Sequence, residues 1–309
     1  MTHTAEQPSS STTTRTRVVD AHHHYWRVDA EEQGWRTSAH GAIDRDYGPQ
    51  DLHPELAETG VEATVLMQSV DSAAENDRMA AYVRESPSVA GVVGWLPVRE
   101  PEAARAELDR AADATWRGVR CLIARDPMAW LADPGVVALF RDLAARDLAW
   151  DVVPITPEQV AAVLGLARAV PDLRIVVDHL ARPPLDTGGW QPWADQLAEL
   201  GACPGVALKV SVGVDVLTAW DGWRRDALGP YVQHAADVFG AERLLLASNW
   251  PVVLLRTDYG TAWRDLTAAV RAAGASEDEL ARVTGGSATE WYRLGTEGGT
   301  EGGTEGGGA

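Results

Sequence analysis

A chain of 309 residues with 45% hydrophobic and 23% charged residues has room for one large α/β barrel or two ordinary domains. Its net charge of −18 excludes a nucleic-acid binder, which carries a basic stripe, because every Arg-containing stretch here is interleaved with acids. Two cysteines, Cys121 and Cys203, fit a reducing compartment, and the sequence shows neither an apolar leader nor a run of about 18 apolar residues, so a soluble, cytoplasmic chain away from membranes is expected.

In chain order, residues 1–16 are polar and rich in Ser and Thr, with little to bury, and are expected to be disordered. The first strand candidate, RVVDAH (17–22), runs into histidines. A polar, turn-rich stretch follows over 27–50, with Gly34, Trp35, Gly41, Tyr47 and Gly48. So long a connection in a compact domain is usually a lid or a binding loop. Seven more β-branched or aliphatic runs follow at 63–69, 89–96, 116–122, 149–154, 174–179, 206–211 and 243–248. Segments with helical spacing alternate with the strands, centred at 54–59, 76–85, 103–112, 136–146, 158–169, 192–200, 230–239 and 263–273. From Gly295 the chain reads GTEGGTEGGTEGGGA, which buries nothing and is expected to be a disordered acidic tail.

Strands separated by helices form parallel crossover units. Eight such units in roughly 280 residues match a closed (β/α)₈ TIM barrel in a single domain over residues 17–294. A doubly wound open sheet would place a G-x-G-x-x-G loop after an early strand, and the first strand here lacks one.

The first strand ends Asp20-Ala21-His22-His23-His24. Alternation directs His22 and His24 to one side and His23 to the other. Two imidazoles at that spacing can share one cation or polarise one carbonyl oxygen. An isolated H-x-H is more often a polar strand end, but the sixth strand closes on Asp178-His179 and the eighth on Ser248-Asn249-Trp250-Pro251. In a barrel all strand C-termini meet at one mouth. His22, His24, His179 and Asn249 are therefore expected to be neighbours, as the catalytic set.

These residues carry a resemblance. VVDAHHHYW is similar to the opening of the amidohydrolase-related family, and GVEATVLMQS, LRIVVDHLARPP and ERLLLASNWPVV match it in the same order, over about residues 18–294. Within the amidohydrolase superfamily it resembles the lactone hydrolases of sugar-acid and aromatic-acid breakdown, such as those acting on L-fuconolactone, L-rhamnonolactone and 2-pyrone-4,6-dicarboxylate. The resemblance implies a hydrolase in which water attacks the carbonyl of a small lactone, and His22, His24 or a metal they hold stabilises the oxyanion. It also implies an aspartate acting as general base where this chain has Asn249. An amide cannot take that proton, and losing a positioned base costs about 10²–10⁴ in rate. Inactivation, a substitute base such as His179 or Asp178, and a reaction needing no base there all stay open. A metal-dependent non-oxidative decarboxylase and a non-catalytic binder of small acids are the alternatives.

His22, His24 and His179 could hold one divalent metal, zinc by type of ligand, and a metal-free site is equally compatible. A binuclear centre of the superfamily needs a lysine after the fourth or fifth strand, and neither carries one. The expected partner is a small anionic or hydroxylated lactone. Arg120, Arg182 and Lys209, the chain's one lysine, are candidates for an anionic group, with Arg125 beside them. Each could equally be a salt bridge of the barrel rim. Gln68 and Ser69 are candidates for hydroxyl contacts, and Trp26, Trp95 and Trp250 for the walls of a ring pocket.

Overall fold

The computed structural model describes residues 15–29 and 33–295. Eight parallel strands follow one another in sheet order: β1 (Val19–His23), β2 (Ala63–Met67), β3 (Val89–Trp95), β4 (Trp116–Arg120), β5 (Ala149–Val152), β6 (Ile175–Val177), β7 (Val206–Val210) and β8 (Leu244–Leu246). The ring closes where the His24 amide donates to the Trp250 carbonyl (2.7 Å) and the Asn249 amide to the His22 carbonyl (2.9 Å). This is a single-domain (β/α)₈ barrel, as the alternation predicts. The tails expected to be disordered lie outside the described residues except for Arg15, Thr16 and Gly295.

The helices on the outside are α1 (Pro49–Thr59), α2 (Ala73–Glu85), α3 (Pro101–Ala111), α4 (Pro134–Ala145), α5 (Pro157–Ala169), α6 (Trp193–Gly201), α7 (Val214–Ala219), α8 (Arg225–Phe239) and α9 (Tyr259–Ala272), followed by α10 (Glu277–Ala281) and α11 (Ser287–Trp291). Four of them begin with proline in the first turn, where its missing N–H costs nothing. Ser72, Asp133, Thr156 and Asp258 cap helices by accepting backbone N–H groups. The first helix, expected to be centred at 54–59, begins at Pro49 and carries Pro54 inside it.

The barrel interior is packed by Val19, Ala21, Val65, Val93, Val176 and Leu245, and the C-terminal segment joins this cluster through Trp291, Tyr292 and Leu294. That segment approaches the first strand closely: a Cβ on Gly285 would come within 1.8 Å of the Arg17 carbonyl oxygen. A second, larger apolar layer lies between strands and helices. The stretch after β1 folds back across the opposite end, with Trp26 and Tyr47 exchanging backbone hydrogen bonds (3.0 Å each). Its Trp35 indole donates to the Ser69 carbonyl (3.0 Å), and His40 Nε2 lies 2.9 Å from the Thr218 hydroxyl.

Candidate active site

An irregularity in the β1–β2 pairing falls between Asp20 and His23. Val19 and Ala21 belong to the interior cluster, and beyond the irregularity His22 and His24 face the interior as well. Their Nε2 atoms lie 3.1 Å apart, whereas His23 Nε2 lies 2.9 Å from the Thr64 hydroxyl on the other side of the strand. His24 Nδ1 is 3.0 Å from the Met67 carbonyl, which can only accept, so Nδ1 carries the proton and Nε2 offers a lone pair.

Behind these rings lies a charged layer. Lys209, fully buried in β7, donates to Asp151 Oδ2 (2.6 Å) and sits 3.0 Å from Asp178 Oδ1 and 3.1 Å from His22 Nδ1. The Tyr292 hydroxyl donates to the same Asp151 oxygen (2.5 Å), and Arg120 Nε approaches Asp178 Oδ2 at 3.5 Å. Burial alone would raise the Asp178 carboxyl, but Lys209, His22 and Arg120 together hold it well below the usual carboxylate range. Asp151 goes the other way: burial lifts it to about 6 against the pull of Lys209.

The segment after β6 is unusual. His179, Leu180, Ala181 and Arg182 all have positive φ, between 52° and 58°, which for L residues is strained and gathers at functional sites. The turn sets His179 Nδ1 2.9 Å from the Ser211 hydroxyl, with its ring centroid 4.6 Å from that of His22. Asn249 is also left-handed (φ 57°), a conformation its short polar side chain tolerates. Its Nδ2 donates to the Val212 carbonyl (2.8 Å), and its buried Oδ1 has no hydrogen-bond partner among the described residues.

A cavity of about 360 Å³ opens above this floor at the C-terminal end of the strands. Of the residues expected at the site, His24, His179, Asn249, Gln68, Arg120 and Arg182 line it. His22 lies just beneath, in contact with His24. Four expected substrate contacts lie elsewhere, among them Trp95, which is outside the cavity lining with its backbone bonded to Asn76. Lys209 is one layer down, enclosed by Asp151 and Asp178. Trp26 packs on Trp35 and Tyr47, and Trp250 on Tyr25 and Tyr47, outside the cavity lining. Asp151 and Ser211 were not singled out from the sequence. Inward alternation, Ala149 to Asp151 and Ala207 to Lys209 to Ser211, is the signal that carries them.

The family described as Amidohydrolase matches residues 19–294. The chain belongs to this family. It is 36% identical to an L-fucono-1,5-lactonase of Burkholderia ambifaria over 283 residues, 89% of this chain and 95% of the relative. A second L-fucono-1,5-lactonase, from Burkholderia multivorans, is 30% identical, with 89% and 96% covered. Among solved structures, an amidohydrolase of Burkholderia multivorans with bound zinc superposes with a TM-score of 0.82 at 26% identity, covering 90% of this chain and 100% of that one.

In this amidohydrolase His22, Asp178 and His179 present ligand atoms within 4.8 Å of one another. Two tetrahedral zinc–imidazole bonds put their nitrogens about 3.3 Å apart, close to the His22–His24 separation. The cluster that closes on one point is thus His22, Asp178 and His179, with His24 Nε2 beside His22, and this donor chemistry fits one divalent cation. Among the described residues, no helix is long and apolar enough to cross a membrane.

The buried titratable groups set an acid limit on this amidohydrolase. Burial lowers His22 and His24 well below 6.5, and His23 and His179 to about 3, so all four are neutral when folded and gain protons on unfolding below pH 6.5. Asp20 and Asp151, raised to about 6 by burial, release protons on unfolding over the range between about 4 and 6. Four gained against two released leaves a net uptake of protons on unfolding, so stability declines as the pH is lowered from about 6.5 to 5. Urea unfolding at pH 7, 6 and 5 should show this decline; a flat or rising stability would contradict the neutral histidines.

Proposed function

We propose that the protein hydrolyses a small lactone, of a sugar acid or a related carboxylated ring, by attack of water on the ring carbonyl. The observation that carries this reading is the convergence of the His22–His24 pair, His179 and the unpartnered Asn249 Oδ1 at one cavity floor. The two lactonase relatives favour ring opening over the decarboxylation alternative.

His22, His24 and His179 would hold one divalent cation, which supplies Lewis-acid polarisation of the carbonyl when bound. The chain's own groups account for the other work. Asn249 Oδ1 accepts a hydrogen bond from the attacking water and orients it, as an amide can without removing its proton. In the cation-free protein the neutral His179 is the acceptor for that proton. In the tautomer with the proton on Nδ1, 2.9 Å from the Ser211 hydroxyl, Nε2 offers a lone pair, and it returns the proton to the ring oxygen as the C–O bond breaks. Arg120 at the end of β4 supplies positive charge beside the developing oxyanion. The absence of lysine on the relevant strand ends keeps the site mononuclear, and the reaction belongs to soluble carbohydrate metabolism in the cytoplasm.

Asn249→Asp tests the reading. A carboxylate keeps one oxygen where Oδ1 stands and gains a base, so kcat/KM on sugar-acid lactones should rise at least about tenfold. The other oxygen then faces the Val212 carbonyl without a proton to share, which should lower stability by about 1–3 kcal/mol. Neither protein hydrolysing any member of a lactone panel, with metal content measured on both, would overturn the proposal.

A further inference from the structure

The lining of the cavity divides by chemistry. Its polar groups, His24, His179, Arg120, Gln68 and Asn249, sit at the strand ends and form the floor. The wall above comes from the loops after five strands, which supply Trp35, Leu122, Val153, Ile155, Val214 and Val252. Apart from Arg125, the polar side chains near this wall are already engaged. Arg182 is ion-paired with Asp215 and Asp186, the Ser69 hydroxyl donates to Glu75 (2.8 Å), and the Trp35 N–H is held by the Ser69 carbonyl (3.0 Å). Arg125 is exposed to solvent at the rim.

A ring hydroxyl set against such a wall gives up water and finds no partner, whereas each methylene buried there strengthens binding about fourfold. A substrate bearing hydroxyls on every carbon is thus poorly matched to one side of this cavity. The two unpartnered acceptors, Gln68 Oε1 and Asn249 Oδ1, are both on the floor, where the carbonyl edge and a neighbouring hydroxyl would lie.

We propose that the lactone taken by this site carries an alkyl or aryl arm, which lies against Val153, Ile155 and Val214 while the carbonyl edge rests on the polar floor. This rests on the ring-opening part of the lactonase reading and, within it, sets rings with one polar and one apolar side ahead of polyhydroxylated ones.

The test compares kcat/KM for δ-valerolactone, its butyl-substituted homologue δ-nonalactone, and L-fucono-1,5-lactone. In parallel, calorimetry compares binding of δ-valerolactam with its 6-butyl derivative, which are not turned over. The butyl arm should raise both kcat/KM and lactam affinity by at least about tenfold, less than the full gain of four buried methylenes. In Ile155→Asn/Val214→Asn the same ratio should fall below about threefold. Equal handling of plain and butyl rings, or a faster reaction with L-fucono-1,5-lactone than with δ-nonalactone, would overturn the inference, and the parent protein alone decides this if the variant does not fold. Lactam discrimination without turnover of any lactone would uphold the apolar wall and remove the lactonase reading. Loss of both would remove both.

Discussion

Lys209→Met should destabilise the protein by about 3–5 kcal/mol, the usual cost of leaving a buried charge without its partner. Lys209 is completely enclosed and serves two carboxylates at once, Asp151 at 2.6 Å and Asp178 at 3.0 Å, below a histidine pair that adds no positive charge at neutral pH. Methionine matches its length but leaves two acids facing each other, and one must then take up a proton. Asp151 is the one to do so, because burial already holds it at about 6 while Asp178 keeps Arg120. The loss should therefore be smaller at pH 5 than at pH 8. Adding Asp151→Leu to the same variant should recover much of it, since an apolar replacement of a buried pair is often neutral. Urea unfolding followed by circular dichroism reads all three; a single-variant cost under about 1 kcal/mol would mean the lysine charge is not what holds the two acids.

The same residue shows where sequence reading stops. The eight-fold alternation was legible because strand and helix periods differ, and the neighbourhood of His22, His24, His179 and Asn249 followed from the barrel alone. Depth along a strand did not follow. Residues two apart on a strand share a face but differ by about 6–7 Å in height, so Lys209 and Ser211 read alike although only the second reaches the level of His179. A lysine among apolar neighbours looks the same whether it meets a substrate or a buried acid. Trp26 and Trp250 mislead for a related reason. Both follow strand ends, but the backbone seam between His23 and Trp250 and the bridge from Trp26 to Tyr47 turn their rings into the packing beside the mouth. The closure of the barrel floor by Trp291 and Tyr292 was equally hidden, because it lies past the last repeat of the alternation.

His179→Ala should lower kcat by about 10³, within the range measured for removing a positioned acid–base group or an oxyanion donor. The side chain is held from both ends: a run of four left-handed residues fixes its backbone, and Ser211 fixes its Nδ1. Burial lowers it to about 3, so its ring is uncharged at neutral pH and takes up a proton only as negative charge builds on the adjacent reacting oxygen. The truncation leaves the Ser211 hydroxyl without its ring partner, at a stability cost of about 1–3 kcal/mol, so the variant's fold must be checked before its rate is read. Ser211→Ala separates chemistry from position. It keeps the imidazole but frees its orientation, and should reduce kcat by only about tenfold with little change in KM. If His179→Ala retained turnover within a factor of about ten of the parent, the proton path would not run through this ring. Asp178 is a poor substitute, since it lies beneath the cavity lining and is ion-paired with Lys209, His22 and Arg120. A surviving rate would therefore point back to His24, the remaining uncharged imidazole on the cavity floor.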